Sequence, residues 1–270
     1  MKDFEGDSKE FYRQSLQLLQ ASELPFLVGG AYALCLYTGI ARQTKDFDLF
    51  VRQKDFERTL SIFRDGSYRV EKTSSHWLGK AFSGEDSIDI IFRAGNGLCP
   101  VDDFWFERAP EGQLFELPVR LTPPEEMIWM KAYIMERERY DGADVAHLFF
   151  HCASRLDWSH LLRRFGPDWR VLLSHLILFG FIYPGEKDRI PADLLDQLWE
   201  RLRDDDSTRA QPSLCRGTLL SRVQFLPDVE NGRFRDARLE SRSGLSQPEI
   251  DAWTRAANAS AKPHSAAQED

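Results

Sequence analysis

Two segments near the N-terminus decide the fold of this chain: FLVGG at residues 26–30 and RQTKDFDLFV at residues 42–51. The first predicts a buried strand and a glycine turn that opens a helix, and the second predicts a strand. Side chains alternate along a strand, so Asp46 and Asp48 emerge on the same face. Neighbouring carboxylates attract a cation, and a glycine turn at a helix start offers N–H groups to a phosphate. The two segments therefore predict a phosphate cradle beside a metal pair.

Composition and charge limit the class of protein. The 270 residues suffice for one large or two modest domains, and 42% hydrophobic with 29% charged residues is typical of a soluble globular protein. The net charge of −8 argues against general binding of duplex nucleic acid. We find no signal peptide or membrane-spanning stretch, and the scattered cysteines lack metal or redox spacing. A cytoplasmic protein with reduced thiols is expected, without a membrane partner. The cysteines are Cys35, Cys99, Cys152 and Cys215.

Hydrophobic periodicity predicts an α+β fold, with a small mixed β-sheet core, flanking helices and a helical C-terminal domain. Predicted strands lie at residues 25–28, 46–51, 68–70, 77–82 and 87–92, which implies a sheet of four to five strands. Predicted helices lie at residues 8–20, 31–37, 55–65, 125–139, 143–151, 158–165, 168–180 and 192–203. The pattern thus changes from mixed to helical at Pro123.

The same change in pattern divides the chain. Residues 1–120 are predicted to form the core, and residues 121–205 a helical domain whose first helices complete a cleft. Residues 206–240 are predicted to be an extended segment, because apolar density drops there. Residues 241–270, rich in Ser, Ala and charge, are predicted to be a disordered tail.

A third carboxylate, Asp89, lies in the apolar run IDIIF at residues 88–92. A charge in such a strand is costly without a partner. If this strand lies beside that of Asp46 and Asp48, three carboxylates converge and suit two Mg²⁺ ions, which prefer oxygen ligands. The alternative is that Asp46 is a turn residue, Asp48 an edge-strand charge and Asp89 an exposed position.

A glycine pair, an Arg-x-Thr-x-Asp-x-Asp-Leu run and one later carboxylate together form a signature. Its members are Gly29, Gly30, Arg42, Thr44, Asp46, Asp48, Leu49 and Asp89. The signature resembles that of the polymerase-β-like nucleotidyltransferase superfamily, and most of all its small bacterial branch related to abortive-infection nucleotidyltransferase toxins and uncharacterised relatives. The match covers roughly residues 25–150. Many minimal members have Gly-Ser and a shorter helix, whereas the longer Gly-Gly form found here occurs in the toxin-like branch.

The resemblance implies a nucleotidyltransferase core and its chemistry. A nucleoside monophosphate would pass from a nucleoside triphosphate, such as ATP, to a hydroxyl group, and pyrophosphate would be released. By this resemblance Asp46 and Asp48 bind two Mg²⁺ ions, or Mn²⁺ instead, and Asp89 binds one of them and helps to activate the acceptor. The Gly29–Gly30 turn would hold the β- and γ-phosphates of the nucleotide.

Two polar residues precede the acidic strand, at the mouth of such a site. Arg42 could pair with a triphosphate or with the metal-bound carboxylates. Thr44 could hold the turn through a side-chain hydrogen bond, or could contact the nucleotide.

Lys131 lies in the middle of an apolar stripe on the predicted helix at residues 125–139. Its ammonium group must therefore meet an anion or extend to solvent. The toxin-like branch is similar in having a helix lysine followed by Arg and Asp residues, and by that resemblance Lys131 contacts the nucleotide phosphates. The following residues are Arg137, Arg139, Asp141 and Asp144.

Those following residues have two interpretations. The resemblance implies that Asp144 and Arg137 support the site from just outside it. The structural alternative is that Asp141 caps the next helix and that Asp144 is a favourable charge in its first turn.

The acceptor is left open between RNA such as tRNA, a protein side chain and a small molecule. Residues 216–222 either dock near the site or bind the acceptor, or they form an extended surface segment. Trp77 either stacks on a base or packs at the core. Two rivals to the enzyme remain at this point. One is a non-catalytic nucleotide-binding or protein-interaction module of the same fold, such as a toxin–antitoxin component, and the other is a metal-dependent phosphodiesterase.

Overall fold

A computed structural model describes residues 6–41, 44, 46–204 and 213–260 of the chain. Five strands form its main sheet: β1 (Leu27–Val28), β2 (Asp46–Phe50), β3 (Arg69–Ser74), β4 (Leu78–Ser83) and β5 (Asp86–Ile91). Their order is β1-β2-β5-β4-β3. The β2–β5 pair is parallel and the other pairs are antiparallel, so the sheet is mixed.

All eight predicted helices are present, and all except the one predicted at residues 125–139 have nearly the predicted bounds. The helices of the structure are α1 (Gly6–Ala21), α2 (Gly30–Thr38), α3 (Phe56–Asp65), α4 (Asp103–Glu107), α5 (Pro124–Lys131), α6 (Gly142–Cys152), α7 (Trp158–Phe165), α8 (Trp169–Ile182), α9 (Ala192–Arg203), α10 (Leu226–Glu230) and α11 (Gln247–Ser260). Two small sheets pair β6 (Glu111–Leu114) with β7 (Leu117–Arg120) and β8 (Leu214–Cys215) with β9 (Arg235–Asp236). The predicted α+β class is confirmed. Within the described ranges, every helix is too short or too polar to cross a membrane.

The two central strands have one apolar face that fixes them in the core. Phe47 and Leu49 on β2 and Ile88 and Ile90 on β5 are fully buried. Phe47 packs against Tyr12 of α1, with ring centroids 5.0 Å apart. Because strand side chains alternate, burying these residues turns the intervening aspartates toward the opposite face.

Helix α5 ends at Lys131, so the prediction of one helix over residues 125–139 is wrong in its second half. The chain turns back instead. Ile134 N donates to Lys131 O, and Glu136 N donates to Arg139 O. The polar run after Met135 offers no apolar stripe that would hold another helical turn against the core.

The described C-terminal residues, 213–260, here called the C-terminal segment, are ordered against the body of the protein. This corrects the predicted disordered tail for residues 241–260, which include α11 with its buried Ile250. Residues 206–240 are not simply extended, since their described part contains α10 and the β8–β9 pair. Residues 261–270 lie outside the described range. A few specific contacts with the rest of the protein hold this part of the chain in place, although its overall apolar content is low.

One of those contacts involves a buried carboxylate. Asp168, only 5% exposed, accepts a hydrogen bond from the Tyr133 hydroxyl at 2.9 Å. It also accepts two from the Arg242 guanidinium, at 3.1 and 2.8 Å. Such a forked pair fixes orientation as well as charge.

We expect Arg242→Met to loosen the C-terminal segment, because it leaves the buried Asp168 carboxylate without its cation. The free energy of unfolding should fall by roughly 1–3 kcal/mol, and limited proteolysis should cut within residues 213–260 sooner than in the wild type. The matched control is Arg255→Met, which removes an exposed arginine from the same segment. Equal cleavage rates in Arg242→Met and Arg255→Met would show that the ion pair does not hold the segment.

Candidate active site

The site begins with two aspartates that face each other across the parallel pair at the centre of the sheet. Asp48 on β2 is in register with Asp89 on β5. Asp46 lies two residues before Asp48 on the same face of β2, and its Oδ1 accepts a hydrogen bond from Ser87 Oγ at 3.0 Å. The structure thus places all three predicted carboxylates on one face of adjacent strands.

Burial and mutual repulsion make these carboxylates hard to ionise. Burial and, to a lesser extent, the charge of Asp89 raise the pKa of Asp48 to about 7, against the opposing effects of Lys131 and Arg139. Burial likewise raises the pKa of Asp89, with Lys80 opposing the shift. The pair therefore needs positive charge nearby if both groups are to be ionised.

Lys80 supplies such a charge, and the sequence reasoning missed it. Lys80 lies on β4 directly opposite Asp89 in the antiparallel register. Its Nζ is 2.7 Å from Asp89 Oδ1 and 3.7 Å from Asp46 Oδ1. The run LGKAFS alternates as a strand should, but only the pairing of β4 with β5 shows that this lysine meets the acidic residues.

The carboxylates have the right chemistry for a divalent metal, because hard cations prefer charged oxygen ligands. In the part of the chain that the structure describes, however, no three His, Cys, Asp or Glu side chains are gathered to hold one metal ion. The Lys80 ammonium binds Asp89 and lies near Asp46, so it offsets part of the charge of these carboxylates. A metal that binds these carboxylates must therefore compete with Lys80.

The glycine turn packs directly on the acidic strand. Gly29 N donates to Asp48 O at 3.0 Å. Gly30 has φ of +54°, and a Cβ at this position would collide with Asp48 Oδ2. Only glycine at position 30 lets the start of α2 lie against the Asp48 carboxylate. The first-turn N–H groups of a helix have no partners within that helix, so α2 begins with hydrogen-bond donors beside the acidic pair.

The turn before β2 is held by Thr44. Its Oγ1 donates to Asp46 O at 2.9 Å and accepts from Asp46 N at 3.3 Å. This matches the structural role that the sequence allowed for Thr44. Arg42 lies outside the described residues, so its proposed contact with the triphosphate stays a prediction.

Lys131 meets anions and does not extend to solvent. Its Nζ is 2.9 Å from Asp141 Oδ2 and 2.7 Å from Asp144 Oδ2. Arg139 donates to both oxygens of Asp141, from Nε to Oδ1 and from Nη2 to Oδ2, each at 2.9 Å. Although burial opposes it, the cations Arg139 and Lys131 lower the pKa of Asp141 to about 2. The predicted contact of Lys131 with phosphate remains a prediction.

The residues after Lys131 differ in part from their predicted roles. Asp141 precedes α6 but makes no side-chain capping bond, and Asp144 is buried against Lys131. Arg137, expected to support the site, has a side chain 81% exposed and lies 3.9 Å from Glu138. Because α5 ends at Lys131 and the chain turns, Arg139 reaches the cleft in its place.

A cleft of about 240 Å³ lies over these residues, between the sheet and the helices. Its polar wall includes Asp48, Asp89 and Lys131. Trp77 packs against the core, as one alternative predicted, and also lines the cleft. Its stacking on a base stays a prediction. Leu219 from the C-terminal segment also lines the cleft, which favours the docking alternative for residues 216–222.

No protein-family model matches the chain, and neither does any curated protein. Solved structures do show a resemblance. It is to nucleotidyltransferases. The antibiotic-resistance factor ANT(2'')-Ia is 19% identical to this chain. The match covers 62% of this chain and 95% of that protein, with a TM-score of 0.44. The lincosamide antibiotic adenylyltransferase LnuA, solved with lincomycin bound, is 15% identical to this chain. The match covers 53% of this chain and 96% of LnuA, with a TM-score of 0.38.

A third similar structure is the antigenic nucleotidyltransferase-like protein from Paracoccidioides brasiliensis. It is 13% identical to this chain, the match covers 63% of this chain and 92% of that protein, and the TM-score is 0.37.

We expect Asp48→Asn to stabilise the metal-free protein at high pH. The pKa of Asp48 is higher in the folded state than its usual 3.8, so its contribution to stability is full below about pH 4 and is lost as the pH rises through about 7. The asparagine variant should therefore melt above the wild type at pH 8 in EDTA, by at most ~4 kcal/mol in unfolding free energy. That advantage should vanish near pH 4. A difference independent of pH would contradict the assignment of the shift to Asp48; Asp193→Asn, on the exposed face of α9, is the surface control.

Replacing Lys80 with Met should make the protein more dependent on divalent cations, because Asp89 loses its ion-pair partner. In EDTA the variant should have a lower melting temperature than the wild type, and excess MgCl₂ should raise that temperature more in the variant. Lys72→Met is the matched control, since Lys72 forms a half-exposed surface pair with Glu57 at 2.6 Å and such pairs contribute little. If MgCl₂ shifts wild type and Lys80→Met equally, Lys80 does not compete with the metal.

Proposed function

We propose that the chain is a metal-dependent nucleotidyltransferase that moves a nucleoside monophosphate from a nucleoside triphosphate to an acceptor hydroxyl and releases pyrophosphate. One observation carries the proposal: Asp48 and Asp89 face each other in register, and the Gly29–Gly30 turn presses the start of α2 against Asp48. A carboxylate pair suits metal-assisted transfer, and a helix start suits phosphate. Because the start of α2 contacts Asp48, the proposed metal-binding group and the proposed phosphate-binding group lie side by side.

We propose that the metal ions bind to Asp46, Asp48 and Asp89, because Mg²⁺ and Mn²⁺ prefer carboxylate oxygens as ligands. When bound, such ions supply the positive charge that activates an attacking oxygen and neutralises a leaving pyrophosphate. The shifted pKa values of Asp48 and Asp89 support this role, since a site that resists holding two negative charges gains most from added positive charge.

The transfer itself is a displacement at the α-phosphorus. The acceptor oxygen forms a bond to that phosphorus, and the bond from the α-phosphorus to the oxygen that bridges it to the β-phosphorus breaks. Pyrophosphate leaves with the electron pair, and the hydroxyl proton passes to the Asp89 carboxylate. The raised pKa of Asp89 makes it a stronger base than an ordinary aspartate. The protein contributes mainly positioning and charge, as in other phosphoryl transfers.

The triphosphate is proposed to bind between α2 and α5. The N–H groups at the start of α2 would receive phosphate oxygens. Lys131, at the end of α5, would contribute positive charge; Asp141 and Asp144 hold its ammonium group on the cleft wall. Thr44 would keep β2 in place by its turn hydrogen bonds. Arg42 is proposed to bind the triphosphate as well.

The Lys80–Asp89 ion pair also favours a second candidate, a nucleotide-binding module of the same fold that does not transfer. A lysine already paired with the proposed base would explain binding without turnover. The two candidates differ in one measurable respect, because only the enzyme releases pyrophosphate.

The decisive assay combines each α-labelled nucleoside triphosphate, MgCl₂ and a cell extract, followed by measurement of labelled product and pyrophosphate. The double variant Asp46→Asn with Asp48→Asn should lower labelling by on the order of 10³-fold or more, because both changes remove metal-binding charge. The surface variant Asp193→Asn should label like the wild type. Undiminished labelling by the double variant would refute the mechanism, and nucleotide binding without pyrophosphate release would favour the module.

A further inference from the structure

One wall of the cleft comes from a part of the chain far from the metal strands. Leu219, Leu220, Arg222 and Trp253 of the C-terminal segment line it together with the acidic residues. This wall lies on neither β2 nor α2, so it is available for recognising something other than the triphosphate.

The wall is fastened to the helical side of the cleft by a single carboxylate. Glu136 accepts hydrogen bonds from Ser221 Oγ at 2.7 Å and from Arg222 Nε at 2.8 Å. It also accepts the Arg222 backbone N–H at 3.1 Å, and Met135 N donates to Leu220 O at 3.1 Å. Ser221 is almost fully buried by these contacts.

The wall is fastened to the sheet side as well. Asn96, which is buried, donates from Nδ2 to Leu219 O at 2.9 Å. Trp253 packs so closely on Gly95 that a Cβ at that glycine would be 2.7 Å from the indole Nε1. The C-terminal segment therefore contacts both sides of the cleft, through Glu136 on one side and Asn96 and Gly95 on the other.

The cations that line the cleft are already paired. Lys131 binds Asp141 and Asp144, and Arg139 binds Asp141. Arg222, on the C-terminal wall, binds Glu136 at 2.8 Å. A long nucleic-acid backbone is held by many cations that neutralise its phosphates, and the described cleft residues include three, each shared with a carboxylate. The net charge of −8 acts in the same direction.

The remaining surface of the cleft is largely apolar. Met127, Met130 and Ile134 face it from the helical side, and Leu220 and Trp253 from the C-terminal segment. A cleft with apolar and aromatic walls and a few polar groups has the lining of a small-molecule site.

We infer that the acceptor is a small organic molecule with a hydroxyl group and an apolar or aromatic face. Its face lies against Trp253 and Leu220, and its hydroxyl points toward Asp89. This inference rests on the proposed function, and it makes Trp253 a residue that determines acceptor specificity.

The acceptor class is tested by splitting a cell extract into a low-molecular-mass filtrate, total RNA and dialysed protein. Each fraction is incubated with the intact protein, α-labelled nucleoside triphosphate and MgCl₂. We expect a labelled small product from the filtrate alone, and none with Asp46→Asn and Asp48→Asn combined. Label in RNA or protein that this double variant abolishes would overturn the inference but keep the proposed function. No pyrophosphate release with any fraction would overturn both.

The role of the wall is tested with Trp253→Ala and, in case that variant folds poorly, with Leu220→Ala. Loss of the indole contact should raise the amount of filtrate needed for half-maximal labelling by about 10-fold. The nucleotide concentration needed for half-maximal labelling should stay unchanged. Trp199→Ala, at a half-exposed tryptophan on α9, is the matched control. If the half-maximal amount of filtrate and the half-maximal nucleotide concentration rise equally, or if neither changes, the wall does not bind the acceptor.

Discussion

The structure depends on the repulsion between two carboxylates that a parallel strand pair forces together. The apolar faces of β2 and β5 must be buried, and their register then sets Asp48 beside Asp89. Two such charges in a poorly solvated position are unfavourable unless cations offset them. Cationic side chains from three neighbouring segments supply this compensating charge. Lys80 binds Asp89, and Lys131 and Arg139 oppose the raised pKa of Asp48. A site arranged in this way for its own stability is also suited to anionic substrates that arrive with metal ions.

The acidic face was predictable because it depends on local rules. Alternation along the strand places Asp46 and Asp48 on one face, and the cost of a lone charge among isoleucines suggests a partner for Asp89. The glycine turn is equally local, since close approach of a helix to a strand calls for residues without a Cβ. These features require only the sequence within one or two elements, and the structure brings them together as expected.

The features that the sequence did not predict all depend on contacts between segments that are far apart in the chain. Lys80 becomes part of the site only through the β4–β5 register. Glu136 was expected to lie inside a helix, but the chain turns there and its carboxylate fastens a loop 86 residues away. The C-terminal segment has few apolar residues, so composition alone suggests disorder. Its order comes from specific contacts such as that between Arg242 and Asp168, which no composition measure detects.

The Lys80 ammonium has a consequence for the order of events when the protein forms. In metal-nucleated folds the ligands cannot come together until the ion arrives, so binding and folding are a single transition. Here the strands carry their own counter-charge, and β4 delivers it as the sheet assembles. The chain can therefore reach its final architecture in a metal-poor environment. If the protein uses the divalent metal proposed above, loading would be an exchange of the Lys80 ammonium for that ion, and the concentration of free divalent ion would set the fraction of active molecules.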